Sequence, residues 1–285
     1  MIPELFKIGP LTVYSYGLML GIAFIAGSYI MSYEFKRKKL PDYFSSEITL
    51  LAIIFGIVGA KLFHLFENWD QFLENPAEMA FSPGGLTFYG GLIVATLSVY
   101  IYTRVKKVPF LFITDGAAPA LALSYGIGRI GCHLSGDGDY GIPTSLPWGV
   151  NYENGVVKPS IMFRGSEIEK QFGGFVPDNT PLHPTPLYEF IVAVIIFYVL
   201  WRYRKSIWPD GRLFMLYFIL SGFARLLVEF IRLNPLLLFG LSEAQLISTG
   251  LIIIGCAVTF YYIKHPELTR YVVPESLSAS KKKNK

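Results

Sequence analysis

Apolar stretches dominate the chain, and they recur at lengths that only a helix uses well. Seven stand out, at about 16–33, 47–64, 87–103, 110–132, 185–201, 213–231 and 245–263. Windows of about 17–20 residues without a full charge cross a hydrocarbon core of about 30 Å as helices. In lipid, a single spanning segment satisfies its own backbone only as a helix. The pattern therefore predicts an all-α, polytopic membrane protein with seven transmembrane helices, organised as one transmembrane domain over residues 1–285.

Composition agrees with the pattern. Of 285 residues, 52% are apolar and 16% charged, and mean hydropathy is +0.44; a soluble domain carries about 25% charged residues. The opening MIPELFKIGP has no basic segment followed by an apolar one, so no cleaved signal peptide is expected.

Net charge is +4, and its distribution sets the orientation. Lys36, Arg37, Lys38 and Lys39 fall in the first connection, and Arg104, Lys106 and Lys107 in the third. Arg202, Arg204, Lys205 and Arg212 fall in the fifth, and Lys264, Arg270, Lys281, Lys282, Lys283 and Lys285 in the tail. The positive-inside rule makes these segments cytoplasmic, which leaves the N-terminus outside and the basic tail 264–285 inside. Basic charge spread over alternate loops is a membrane signature, so no nucleic-acid partner is expected. The insert 142–184, polar and rich in Pro, Gly and Asn, then forms a small extracytoplasmic cap.

With that orientation, the residues out of place in lipid share one level. Tyr16, Lys61, His64, Tyr89, Gly90, Gly91, Arg129, His183, Tyr188, Glu189, Arg225, Glu229, Arg232 and Gln245 all lie toward the outer end of a span. In SGFARLLVEFIRLNP, Arg225, Glu229 and Arg232 are spaced i, i+4 and i+7, which puts them on one helical face. A charge at mid-span costs about 2.5–3.5 kcal/mol on insertion scales. Two arginines and one carboxylate leave a positive surplus, and Arg129 adds to it from another helix. An anion at the outer leaflet would balance that surplus. Lipid phosphate is the abundant candidate, because guanidinium grips phosphate oxygens in pairs and keeps its charge.

Other chemistry is thinly signalled. Cys132 and Cys256 lie in apolar runs and read as small buried hydrophobes. GDGDYG (136–141) lacks the ligand spacing of a calcium loop, and His64, His133, His183 and His265 show no zinc spacing. No metal and no cofactor are expected.

Several blocks carry a resemblance: IGPLTVYSYGLMLGIAF (8–24), YGGLI (89–93), GRIGC (128–132), HPTPLYE (183–189), ARLLVEFIR (224–232) and GLSEAQ (240–245). In this order they resemble the bacterial prolipoprotein diacylglyceryl transferase family over nearly the whole chain. The resemblance implies transfer of the diacylglyceryl group of phosphatidylglycerol to the lipobox cysteine of a preprolipoprotein, forming a thioether and releasing glycerol 1-phosphate. The implied setting is the bacterial cytoplasmic (inner) membrane, with the active site at the outer leaflet.

Carried over by motif, Arg129 and Arg225 are the essential arginines that share the lipid phosphate, and Glu229 fixes a guanidinium plane. Tyr16, Gly90, Gly91, Arg232 and Gly141 join the phosphatidylglycerol-binding set. Tyr89, His133 and His64 are alternative acceptors for the thiol proton. Tyr89 stands where the family often has histidine, Lys61 where arginine is common and Ser221 where tyrosine is frequent. GDGDYG is one residue longer than the usual block. The alternative is a divergent phospholipid-binding membrane protein or transporter without the transferase activity.

Overall fold

The computed structural model describes all residues except 10, 83, 207–208, 266, 269–270, 276 and 278–285. Of the expected basic tail, Arg270 and Lys281, Lys282, Lys283 and Lys285 lie outside the described residues. The chain opens with a hairpin, β1 (Glu4–Ile8) and β2 (Leu11–Tyr14), and enters α1 (Ser15–Arg37). Next come α2 (Tyr43–Glu67), two short helices α3 (Trp69–Glu74) and α4 (Pro76–Phe81), α5 (Phe88–Val105) and α6 (Phe110–Ser135). The insert holds β3 (Val150–Asn151), α7 (Pro159–Met162), α8 (Glu167–Gln171) and β4 (Pro181–Leu182). The chain then continues through α9 (Thr185–Tyr203), α10 (Arg212–Glu229) and α11 (Glu243–Lys264).

Each expected apolar stretch is a helix of 18 residues or more. Six of them, α1, α2, α5, α6, α9 and α11, are long and apolar enough to cross a membrane. The remaining helix, α10, carries Arg212, Arg225 and Glu229 within its 18 residues. The helices leave Ile25, Ile57, Leu97, Ile195 and Ile253 exposed, which suits a lipid-facing surface and not an aqueous one. The protein is a mostly helical multi-pass membrane protein. Among the described residues, two features depart from an all-helical reading: the N-terminal hairpin, and the antiparallel β3–β4 ladder in the insert.

The chain forms two compact units. The first comprises Met1–Ile30 and Ala117–Arg270, the second Met31–Gly116 and Tyr271–Lys285.

In the first unit, small residues let helices approach closely, as is usual where lipid supplies no hydrophobic drive. A side-chain carbon on Gly222 would meet Ser248 O at 2.9 Å, and one on Gly255 would meet Met215 O at 3.0 Å, so α10 and α11 touch backbone to backbone. Gly126 of α6 faces Ala193 of α9 in the same way, and Ser124 Oγ donates to Ala23 O of α1 at 2.8 Å. Ala118, Ala122, Ile196, Leu200 and Leu213 fill the interior between α6, α9 and α10. The insert has its own small core of Tyr152, Phe163, Val176 and Leu182, which also takes in Tyr140.

In the second unit α2 packs on α5. Gly59 faces Gly90 O, and a side-chain carbon on Gly91 would meet Gly56 O at 2.8 Å. Close helix packing therefore accounts for both glycines of YGGLI. Lys61 Nζ donates to Ser82 O at 3.0 Å, Ser82 Oγ at 2.9 Å and Gly84 O at 2.8 Å, tying the loop before α5 to α2.

Candidate active site

The end of α6 carries Arg129, Cys132 and His133, and the loop 136–141 follows at once. That loop turns through Gly136 (φ 60°) and Gly138 (φ 94°), backbone values that glycine adopts without cost. Its course is held on both sides. Val157 N donates to Gly136 O at 2.9 Å, and Gly141 N to His183 O at 2.9 Å. Ile142 N donates to Ile231 O at 2.9 Å, and Thr185 Oγ1 to Asp139 O at 2.5 Å. A side-chain carbon on Gly141 would meet Ile231 O at 2.5 Å, so only glycine lets the loop lie against the turn after α10.

That turn differs from the expected geometry. The helix was expected to run to residue 231, with Arg225, Glu229 and Arg232 on one face; α10 ends at Glu229. Ile231 N bonds Val228 O at 3.1 Å and Arg232 N bonds Glu229 O at 3.2 Å, the tighter i to i+3 pattern of a closing turn. Pro235 lacks an N–H and biases Asn234 away from helical angles, so the helix cannot resume beyond this turn. Arg232 is thereby turned from the helical row, yet it still reaches the cluster.

The loop brings Asp139 between two guanidinium groups. Arg129 Nη1 donates to Asp139 Oδ2, and Arg232 Nη2 to Asp139 Oδ1. On α9, Glu189 stands under all three arginines. Its Oε1 accepts from Arg225 Nη1 at 2.7 Å, and its Oε2 lies 3.4 Å from Arg129 Nε and 3.7 Å from Arg232 Nη1. Tyr125 OH donates to Glu189 Oε1 at 2.6 Å, and the Arg129 guanidinium lies 4.9 Å from the centre of the Tyr125 ring. Glu229 Oε2 is 3.6 Å from Arg225 Nη2, while its Oε1 accepts from Asn234 Nδ2 and Ser242 Oγ, both at 2.6 Å. Arg225 therefore donates its hydrogen bond to Glu189, while Glu229, expected to fix a guanidinium plane, stands at ion-pair distance from it.

Three arginines thus meet three carboxylates, and the cluster is neutral in formal charge. The positive surplus expected from the sequence does not exist, because Glu189 and Asp139 arrive from elements that the helical spacing of α10 does not include. Burial opposes ionisation of Asp139, but Arg232 and Arg129 outweigh it and hold the carboxyl at about 2. Burial and the neighbouring Asp139 push Asp137 the other way, upward. Hydrogen bonding in the cluster is incomplete. Arg232 Nη1, Glu189 Oε2 and Glu229 Oε2 are buried without a hydrogen-bond partner among the described residues.

Other site residues divide between the units. Tyr16 opens α1 in the first unit, its ring against Gly131 and within electrostatic reach of Cys132, Asp137, Arg129 and Asp139. His133 Nδ1 is 2.9 Å from Tyr152 OH, so its ring engages the cap. Tyr89, Gly90, Gly91 and His64 belong to the second unit, where His64 Nδ1 is 3.2 Å from Asn68 Nδ2. Cys132, read as a small hydrophobe, lies 3.7 Å from Arg129 Nη1. The ligand atoms of Cys132, Asp137 and Asp139 fall within 4.8 Å of one another, a spacing open to a metal ion. Both Asp139 oxygens, however, are already taken by guanidinium. The residues undervalued in the sequence are Asp139 and Glu189. Their signal was acid in GDGDYG (136–141) and inside HPTPLYE, at the level of the arginines.

The prolipoprotein diacylglyceryl transferase family model matches residues 3–261. The chain is similar to the phosphatidylglycerol–prolipoprotein diacylglyceryl transferase of Clostridium tetani, with 34% identity over 90% of this chain and 96% of that protein. The Leptospira interrogans protein of the same name is 31% identical over 90% of this chain and 89% of its own length. That of Clostridioides difficile is 30% identical over 87% of this chain and 90% of its own. With a match that runs from the N-terminal hairpin almost to the end of α11 and takes in every residue of the arginine–carboxylate cluster, the chain belongs to the prolipoprotein diacylglyceryl transferase family.

Proposed function

We propose that this protein transfers the diacylglyceryl group of phosphatidylglycerol to the lipobox cysteine thiol of a preprolipoprotein, in the bacterial cytoplasmic membrane. In this reading α10 is a seventh span, the N-terminus is outside, and the arginine cluster faces the outer leaflet under the cap. The sulfur attacks the glycerol carbon that bears the phosphate. A carbon–sulfur bond forms, the carbon–oxygen bond breaks, and its electron pair leaves on the phosphate oxygen as glycerol 1-phosphate. The thiol proton goes to a base, for which Tyr89, His133 and His64 remain the candidates.

A thiol is intrinsically a strong nucleophile, so the larger task is stabilising charge on the departing phosphate. Fixed donors in a water-poor site do this without reorganising, and loss of one such donor costs about 100- to 1000-fold in rate. Arg129 and Arg225 share the phosphate and Arg232 supports them, with Tyr16 and Gly141 shaping the seat. Gly90 and Gly91 enter the binding set through the resemblance alone.

The observation that carries the reading is the convergence of three guanidinium groups, from α6, α10 and the turn after α10, on one buried carboxylate, Glu189. The alternative of a phospholipid binder or transporter is not favoured by family membership. The test is thioether formation on a lipobox peptide in phosphatidylglycerol vesicles. Arg129→Ala and Arg225→Ala should each lose at least 100-fold, with Arg129→Lys intermediate. Near wild-type rates in both alanine variants would remove the proposal.

A further inference from the structure

Of the three carboxylates in the cluster, two are built in. Glu189 and Glu229 have side chains 5% and 2% exposed, and each also accepts from neutral donors, Tyr125 for one and Asn234 with Ser242 for the other. Asp139 differs in every respect. It lies on a loop, its side chain is 33% exposed, and its carboxylate is held by two guanidinium groups alone among the described residues. Its backbone is pinned through Thr185, so displacement of the carboxylate need not move the loop.

Each Asp139 oxygen takes one guanidinium, Oδ1 to Arg232 and Oδ2 to Arg129. Two oxygens spanning two arginines is also how a phosphodiester would sit there. The arginines have capacity beyond what Asp139 fills. Arg232, with its side chain 5% exposed, keeps Nη1 buried and without a hydrogen bond, its nearest carboxylate oxygen, Glu189 Oε2, standing 3.7 Å away. A phosphate brings more acceptor oxygens than a carboxylate, enough to meet that donor as well.

We infer that Asp139 is an internal competitor for the phosphate seat: its carboxylate occupies the Arg129–Arg232 cradle until lipid phosphate displaces it, and returns to expel glycerol 1-phosphate. This rests on the reading that Arg129 and Arg225 share the lipid phosphate, and extends the seat to Arg232. Asp139 is then a residue that sets specificity and product release. An anion must outcompete a tethered carboxylate, which a phosphate anchored by its acyl chains does at far lower concentration than a small soluble anion. The apparent affinity of every anion falls by the fraction of time the seat is open.

The test is a KM, kcat and product-inhibition series on the full-length protein in nanodiscs, with sn-glycerol 1-phosphate as the soluble probe. Asp139→Asn should bind glycerol 1-phosphate about ten-fold more tightly, as for a seat open about a tenth of the time. Its KM for phosphatidylglycerol should fall and its kcat fall with slower product release. Asp137→Asn removes a nearby negative charge that does not occupy the seat, and should change inhibition less than two-fold. Equal tightening in both variants, or none in Asp139→Asn, overturns the inference.

A readout on the unaltered protein covers poor folding of the variants. Carbodiimide labelling of the Asp139 carboxyl, followed by peptide mass spectrometry, should rise several-fold when glycerol 1-phosphate is added. Unchanged or reduced labelling overturns the inference. Loss of activity in Arg129→Ala alongside either negative result leaves the transferase reading standing; near wild-type rates in both Arg129→Ala and Arg225→Ala remove both.

Discussion

Arg225 Nη1 donates to Glu189 Oε1 at 2.7 Å, joining α10 to α9 through two side chains that are 25% and 5% exposed. The same carboxylate approaches Arg129 and Arg232, so one acid of α9 is the common partner of three bases. Glu189→Gln should strand those charges. Removing one partner of a buried pair costs about 3–5 kcal/mol. The expected outcome is a marked drop in thermal midpoint in nanodiscs together with loss of transfer activity, and a midpoint close to wild type would count against this role.

Tyr125 contributes one hydrogen bond to Glu189 and an aromatic face to Arg129. Tyr125→Phe removes only the first. A hydrogen bond to a charged group is worth about 1.5–3 kcal/mol, so stability should fall by that order while Arg129 keeps its aromatic face. Tyr125→Leu should cost more. Thermal unfolding of the pair separates the two contributions.

Gly141→Ala should be damaging although alanine is small. The added carbon meets Ile231 O at 2.5 Å and Thr185 Cγ2 at 2.9 Å, and relief must displace either the loop of Asp139 or the turn of Arg232. At least a ten-fold loss of activity is expected from such misplacement, on the order seen for shifts of about 1 Å at catalytic groups. Gly250→Ala meets nothing within 4 Å and serves as the control, with activity unchanged.

Ser242 caps α11 and reaches Glu229. Its side chain accepts from Gln245 N at 3.3 Å within a capping box, and its hydroxyl donates to Glu229 Oε1 at 2.6 Å. Ser242→Ala loses the cap, about 1 kcal/mol, and leaves Glu229 one donor short. A lower thermal midpoint is expected, with a larger loss than in Thr249→Ala, whose hydroxyl donates only to Gln245 O of the preceding turn.

Acid should unfold the cluster at a recognisable place. Asp139 is held at about 2 in the folded protein, below the ordinary aspartate value of about 3.9. Its contribution is therefore complete above about pH 4 and is lost as pH falls toward 2. Thermal midpoints measured from pH 6 down to 2 should show a steeper fall in wild type than in Asp139→Asn over that last interval.

Much of this protein was settled by order along the chain. Runs of apolar residues about 20 long determine helices wherever they sit, because backbone groups in lipid have no other partner, and all seven appeared within a few residues of their expected bounds. Arg129 and Arg225 also stood out unaided, since a permanent charge beside lipid is costly enough to need a reason. What the sequence left undecided was the company those arginines keep. Glu189 lies 60 residues from Arg129 and 36 from Arg225, Asp139 follows two glycines of positive φ, and Arg232 leaves its helix before Pro235; no periodicity relates them. Helical spacing counts only neighbours on one helix, so it returned a surplus of positive charge. The fold, by setting α6, α9, α10 and a loop side by side, closed that surplus to neutrality and put an acid between Arg129 and Arg232.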